Sequence, residues 1–296
     1  MRIAFLGMNG PLSLAALGAA ARDHQIVAIA RPASAGAAPG LRGRLGQAAR
    51  ALLMRRADSL DGIARQAGIR VTELGSRSDP ALAAQLLQCR PDVLCVATYP
   101  WLLAPEILSL ARLGSLNVHA ALLPRHRGLL PLFWVYHADD RRTGVTVHWM
   151  DERADGGDIV HQSSFALPRG EPVDTLNRRN AEAAGPALVC ALAAIADGSA
   201  ARTIQDETKA TAAPFVRAGT PMVAFDSWGA ERVWHFLAGL YPRFVEPLRD
   251  AAGNAVPYRG VHGYALETHR RAPGTLERVP GGIALFCRDG LVHLET

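Results

Sequence analysis

Two short stretches carry the strongest chemical signal in this sequence: Asn117 and His119 in LNVHAALLPRHRG, and Asp155 in the glycine-rich DERADGGD that follows TGVTVHWM. Asn117 and His119 are two residues apart near the end of a predicted strand, so their side chains leave the same face. Asp155 sits in a loop whose glycines let backbone approach a ligand closely. An amide, an imidazole and a carboxylate together suit acyl transfer. The amide N–H and a protonated imidazole can hold a developing oxyanion. The carboxylate keeps the imidazole charged and oriented, and helps move protons off an attacking amine. No serine or cysteine nucleophile is placed nearby, which points to direct transfer without a covalent enzyme intermediate. Each residue alone has a plainer use: an Asn-x-His can be a satisfied loop pair, and Asp151, Glu152, Asp155 and Asp158 can serve as turn and cap residues. His126, His137, His148 and His161 read as structural or surface histidines. No two have ligand spacing for a metal, and none is expected.

The elements that must position these groups alternate in the first two thirds of the chain. RIAFLG, QIVAIA, IRVTEL, DVLCVAT and SLNVHA read as strands; PLSLAALGAAARD, DPALAAQLLQC and APEILSLAR read as helices between them. That alternation argues for βαβ units and a doubly wound, mostly parallel Rossmann-like α/β sheet, which places ligands at the carboxyl ends of its strands. TGVTVHWM then alternates like a half-exposed strand, GDIVHQSSFAL like another, and DTLNRRNAEAAGPALVCALAAIADG is a long helix. The polar SAARTIQDETKATAAP looks like a linker. AFDSWGAERVWHFLAGL has helical periodicity with Phe225, Val233, Phe236 and Leu237 on one face, and short strand-like runs from about Pro257 suggest a small barrel. The expected division is a catalytic domain over 1–205 and a smaller C-terminal domain over 206–296, a helix plus a small OB-like β-barrel.

Composition narrows the class. At 296 residues, 49% hydrophobic and 20% charged, the chain is an ordinary globular protein with a full core. No apolar run approaches a membrane span, and the opening MRIAFLGMNG has no basic region followed by a cleavage site, so a soluble cytoplasmic protein is expected. Cys89, Cys95, Cys190 and Cys287 are scattered and read as free thiols. The formal net charge of +5 resides in the first 60 residues, where Arg42, Arg44, Arg50, Arg55 and Arg56 cluster. That segment either meets a phosphate-bearing substrate or is a solvated helix face, with Leu45, Ala49, Leu52 and Leu53 as the apolar stripe beneath. FLGMNGPLS lacks the spacing of a dinucleotide fingerprint, and Arg31 stands where such a fold would place an acid on the ribose. The turn at Gly7 and Gly10 can still present backbone N–H groups to an anion.

Taken together, NVHAALLPRHRG and GVTVHWMDERADGGDIV closely resemble the folate-dependent formyltransferases, whose pattern is roughly Asn-Val-His-Pro-Ser-Leu-Leu-Pro followed by Met-Asp-Glu-x-x-Asp-x-Gly-Asp-Ile. The resemblance runs from the first strand to about Gly198 and more loosely beyond. AFDSWGAERVWHFLAGLYP looks like the opening of the second domain in methionyl-tRNA formyltransferases and sugar N-formyltransferases. The chain departs at Ala120 and Ala121, where the family has Pro-Ser; neither is a catalytic group. The resemblance implies that Asn117, His119 and Asp155 are the catalytic triad and that 10-formyltetrahydrofolate is the formyl donor. It places the pterin between Tyr99, Trp101, Leu102 and Leu103 on one side and Asp151, Glu152, Ala154 and Asp155 on the other. An apolar, aromatic wall suits a flat heterocycle, although Trp101, Leu102 and Leu103 also suit a helix-entry packing cluster. Gly10, Arg42 and Arg44 are candidates for holding the acceptor.

The acceptor is a primary amine of unsettled identity. An amino-sugar nucleotide or other small biosynthetic amine is preferred over a charged initiator tRNA. The loop RPASAGAAPGLRGRL lacks the compact Arg-Gly-Lys-Lys run of the tRNA enzyme, and LVHLET leaves the C-terminal part shorter than is usual there. Two readings from other classes stay open: a 10-formyltetrahydrofolate hydrolase, and a non-catalytic folate- or RNA-binding protein.

Overall fold

The computed structural model describes residues 1–33 and 59–296. The arginine-rich stretch 42–56, with Arg42 and Arg44, lies outside the described residues. Strand β1 (Arg2–Gly7) buries five of its six residues and runs parallel to β2 (Gln25–Pro32) on one side and β4 (Val93–Ala97) on the other. The helix after it, α1 (Pro11–Asp23), starts where proline is best tolerated, with Gly10 as the N-cap. Gly7 ends β1 because nothing larger fits: a Cβ there would lie 2.8 Å from the Ala97 carbonyl oxygen and 2.8 Å from Ser13 Oγ.

Helix α2 (Leu60–Gln66) is capped by the Ser59 hydroxyl, and β3 (Val71–Leu74) pairs with β2. Arg31 is held at the β2 end by Asp61 (2.6 Å) and Glu73 (2.8 Å), so its charge is spent within the fold. Helix α3 (Pro80–Cys89) follows, capped by Asp79, then β4 and the parallel strand β5 (Gly114–His119). Between them the expected nine-residue helix is only α4 (Pro105–Leu108). The chain leaves it by one tight i→i−3 bond, from the Leu110 N–H to the Ile107 carbonyl, and Ser109 Oγ donates to the Glu106 carbonyl.

The sheet closes with β6 (Arg142–Trp149), antiparallel to β5, and β7 (Ile159–Ala166), giving the order β3-β2-β1-β4-β5-β6-β7. The chain winds outward from β1 to β3 and returns to β4 beside β1, which creates the strand-order reversal where such sheets bind ligands. β6 is not half exposed as its alternation suggested: seven of its eight residues are buried, because both faces of the sheet are covered. The long helix α6 (Val173–Asp197) matches its sequence pattern, and α5 (Pro131–His137) precedes β6.

Packing divides the described chain into two compact units, neither of them one continuous segment. The first comprises Met1–Gly128, Gly144–Ser164 and Arg178–Ala212; the second comprises Leu129–Thr143, Phe165–Asn177 and Ala213–Thr296. The boundary placed at 205/206 from sequence falls inside the last segment of the first unit. In the second unit, α7 (Ala230–Leu240) buries Val233, Phe236 and Leu237. Phe133 packs edge-on against Phe236 and Phe244 at 5.6 and 5.1 Å. The helix begins later than its periodicity implied. Ala224–Trp228 is a turn closed on the Ala224 carbonyl, so Phe225 lies outside α7 and is only half-buried. The small barrel expected at the C-terminal end takes the form of a four-stranded antiparallel sheet, β8 (Gly260–Leu266), β11 (Gly290–Glu295), β10 (Gly282–Cys287) and β9 (Leu276–Val279) in that order. Among the described residues no helix is long and apolar enough to cross a membrane.

Candidate active site

The carboxyl end of β5 brings Asn117 and His119 to one face, and the antiparallel pairing with β6 sets His148 directly opposite Asn117. Asp155 comes in from the loop after β6 and is the hub. Its Oδ1 accepts from Asn117 Nδ2 at 3.0 Å, and its Oδ2 accepts from the Gly128 backbone N–H at 2.8 Å. His119 Nδ1 lies 3.5 Å from Oδ2, and His148 Nε2 lies 3.4 Å from Oδ1. His119 is 5% exposed, and its Nε2 donates to the His126 carbonyl at 2.8 Å. Asn117, His119 and Asp155 thus meet around one carboxylate.

Backbone shape is part of this arrangement. Asp155 and His126 adopt φ of +51° and +62°, in the left-handed region that costs a non-glycine residue energy. Both are held there by their surroundings. Thr211 Oγ1 accepts from the His126 N–H, and Gln205 Nε2 donates to the carbonyls of Asp155 and Gly157 at 2.8 and 2.7 Å. Gln205 is itself clamped by Arg127, which also pairs with Glu207 at 2.8 Å. The polar stretch expected to be a linker is therefore the underside of the Asp155 loop. Its sequence signal was slight, a lone glutamine in a mixed polar and charged stretch.

Gly157 allows the loop to fold back. A Cβ there would lie 1.9 Å from the Trp149 carbonyl oxygen. Gly157→Ala is expected to lower kcat by about 100-fold, since a displacement near 1 Å at the reacting groups costs that much. Steady-state rates on a variant that still binds folate would check this.

The charges are set by burial and by neighbours. Burial alone would raise the Asp155 carboxyl, but the His119 imidazole and the Gly128 N–H hold it well below the usual carboxylate range. For His119, burial is the larger influence. It pulls the ring below the ordinary histidine value against the opposing Asp155 carboxylate. Burial thus opposes the charge that the neighbouring carboxylate favours, and Nε2 bears the hydrogen that the His126 carbonyl accepts.

The residues assigned to the pterin wall divide. Tyr99, Trp101 and Leu103 pack with Met150 in one apolar cluster, and the Tyr99 and Trp101 rings meet edge-on at 5.6 Å. Leu102 points outward, 57% exposed. The Tyr99 hydroxyl is buried with no hydrogen-bond partner among the described residues, and burial pushes it up to about 12, so it stays a donor. An aromatic wall with an orphaned donor fits a flat heterocycle rich in acceptors. Asp151 turns to its own neighbour Arg153 (2.7 Å), while Glu152 and Ala154 are exposed. Gly10 is the α1 N-cap, with open space where a Cβ would stand. Among the described residues, no group of three or more acids, histidines or cysteines is arranged to hold a metal.

A buried imidazole beside a part-buried amide and carboxylate, at the carboxyl end of a doubly wound sheet, marks an acyl-transferring α/β enzyme. The chain belongs to the folate-dependent formyltransferase family: residues 1–192 match the family model described as formyl transferase. Methionyl-tRNA formyltransferases of Anaeromyxobacter dehalogenans, from strains 2CP-1 and 2CP-C, are 34% and 35% identical over 300 residues, covering 100% of this chain and 91% of each relative. An N-formyltransferase from Helicobacter canadensis, solved with folinic acid and dTDP-3-aminofucose, shares the fold with a TM-score of 0.69. It is 12% identical, and the match covers 100% of this chain and 99% of that one. The sugar 3N-formyltransferase WlaRD, solved with dTDP and 5-N-formyltetrahydrofolate, gives 0.67 at 12% identity, covering 99% and 96%.

Proposed function

We propose that this enzyme transfers a formyl group from 10-formyltetrahydrofolate to the primary amine of a small acceptor, an amino-sugar nucleotide or a comparable biosynthetic amine. The observation that carries the transfer is the meeting of Asn117, His119 and Asp155 around one ionised carboxylate. When bound, the folate supplies an electrophilic formyl carbon on a nitrogen that can leave. Asn117 and His119 offer hydrogens to the formyl oxygen as it gains charge. Asp155 attracts the attacking amine and accepts its proton, directly or through water, as the new C–N bond forms. It then returns that proton toward the departing folate nitrogen, so charge and atoms balance. Tyr99, Trp101 and Leu103 would hold the pterin, with the backbone of 151–155 opposite.

The small acceptor is favoured by charge. Residues 206–296 contain ten basic and ten acidic residues, whereas nucleic-acid binding calls for a basic surface. A second reading, transfer to charged initiator tRNA, is favoured by the full-length likeness to methionyl-tRNA formyltransferases. The deciding experiment measures tetrahydrofolate release with methionyl-tRNA and a panel of amino-sugar nucleotides in parallel. Release that depends on a sugar amine is expected. Release with tRNA alone selects the second reading, acceptor-independent release means hydrolysis, and folate binding without turnover means a binding protein.

A further inference from the structure

His148 is 2% exposed, faces Asn117 across the β5–β6 pair, and has no role in the triad. Its two ring nitrogens have different surroundings. Nδ1 lies 2.7 Å from the Trp149 carbonyl oxygen, which can only accept, so the neutral ring carries its hydrogen on Nδ1 and leaves Nε2 a bare lone pair. That lone pair is 3.1 Å from Asn117 Nδ2 and takes one amide hydrogen; Asp155 Oδ1 takes the other. Turning the amide over would aim its oxygen at a lone pair and a carboxylate at once, so only one orientation is possible.

The two anchors differ in what the reaction asks of them. Asp155 must turn to the attacking amine, whose N–H then replaces that of Asn117 on Oδ1. The Asn117 hydrogen so released is the one free to meet the formyl oxygen. Once Asp155 is engaged, only the bond to His148 Nε2 still holds the amide nitrogen in place. We propose that His148 is a positioning residue for formyl transfer, the acceptor that keeps the Asn117 amide aligned while Asp155 serves the amine; this rests on the formyl-transfer reading above. The carbonyl that fixes the His148 tautomer is also the one against which Gly157 folds, so one backbone oxygen sets both the Asp155 loop and the Asn117 anchor.

His148→Leu removes the acceptor at similar size, and His148→Gln restores one at the position of Nε2. The expected result is a kcat about 100-fold lower in the leucine variant, with the KM for 10-formyltetrahydrofolate within about threefold of the parent and most of the rate regained in the glutamine variant. Equal loss in both variants, or no loss in His148→Leu, overturns the proposal. A readout independent of turnover is the Asn117 side-chain NH2 pair in ¹H–¹⁵N spectra. Both hydrogens should be protected from solvent exchange in the parent and in His148→Gln, and one exposed in His148→Leu. Protection without formyl transfer to any acceptor would refute the functional reading and leave the anchor standing. Absence of protection in the parent refutes the anchor whatever the activity.

Discussion

Asparagine at position 155 is expected to lower kcat about a thousandfold, the scale on which a group that orients an imidazole and moves a proton acts. The loss follows from what Asp155 does in the structure. Its two oxygens accept from Gly128 N–H and Asn117 Nδ2 and lie beside both imidazoles. An amide has one oxygen and one NH2, so Asp155→Asn must aim a donor at a donor on one side and removes the charge that receives the amine. The Tyr99–Trp101–Leu103 wall is untouched, and donor affinity should stay within a few-fold. The pH dependence separates charge from shape. Because the Asp155 carboxyl is held well below the usual range, its contribution to stability is present above the unfolded carboxylate value near 3.9 and is lost only as pH falls further. Between pH 7 and 8, above the range in which His119 takes up a proton, the parent and Asp155→Asn should therefore show parallel stability curves while their rates differ. A variant that keeps a tenth or more of the parent kcat would remove Asp155 from the reaction.

Much of this site was legible in the sequence, for a physical reason. Asn117 and His119 declare themselves because a strand's period of two fixes their common face, and the burial of β5 leaves no doubt that it is a strand. Asp155 is legible because the two glycines that follow it mark a loop that must pass close to something. His148 was read as structural, because its importance arises from register: only the antiparallel pairing of β5 with β6 sets it opposite Asn117, and pairing partners are not written in a single strand. Gln205 was hidden for a similar reason, since its partners are backbone carbonyls fifty and forty-eight residues away. For His119, proximity to a carboxylate is readable from a motif, while the burial that opposes its charge is a property of the packed fold. In the second unit, α7 was recognisable from its apolar spacing, but its first turn was placed too early: Ala224–Trp228 has apolar residues at helical spacing yet closes as a turn before Gly229.

Acid is expected to weaken the fold through a histidine of the second unit. His235, on α7, is fully buried, and its Nδ1 accepts from the Gly170 N–H at 2.9 Å. Among the described residues its Nε2 has no partner. Burial, followed by the charge of Arg169, pushes its pKa down to about 4, against the partial compensation of Asp139 and Glu231. The unfolded ring titrates near 6.5, so the unfolded chain takes up a proton that the folded one refuses. The stability is whole above about pH 6.5 and is lost as pH falls toward 4. Going from pH 7 to 4.5 should remove about 2.5 kcal/mol through this ring alone, at 1.36 kcal/mol per unit. His24, His119 and His137 are also lowered chiefly by burial and act in the same direction. His235→Gln, which keeps an acceptor for Gly170 but cannot titrate, should therefore flatten the curve without levelling it. Urea denaturation of both proteins at pH 7 and 4.5 measures the difference. If the glutamine variant loses as much stability as the parent over that interval, His235 is not the ring held neutral, and the acid sensitivity must come from the other three.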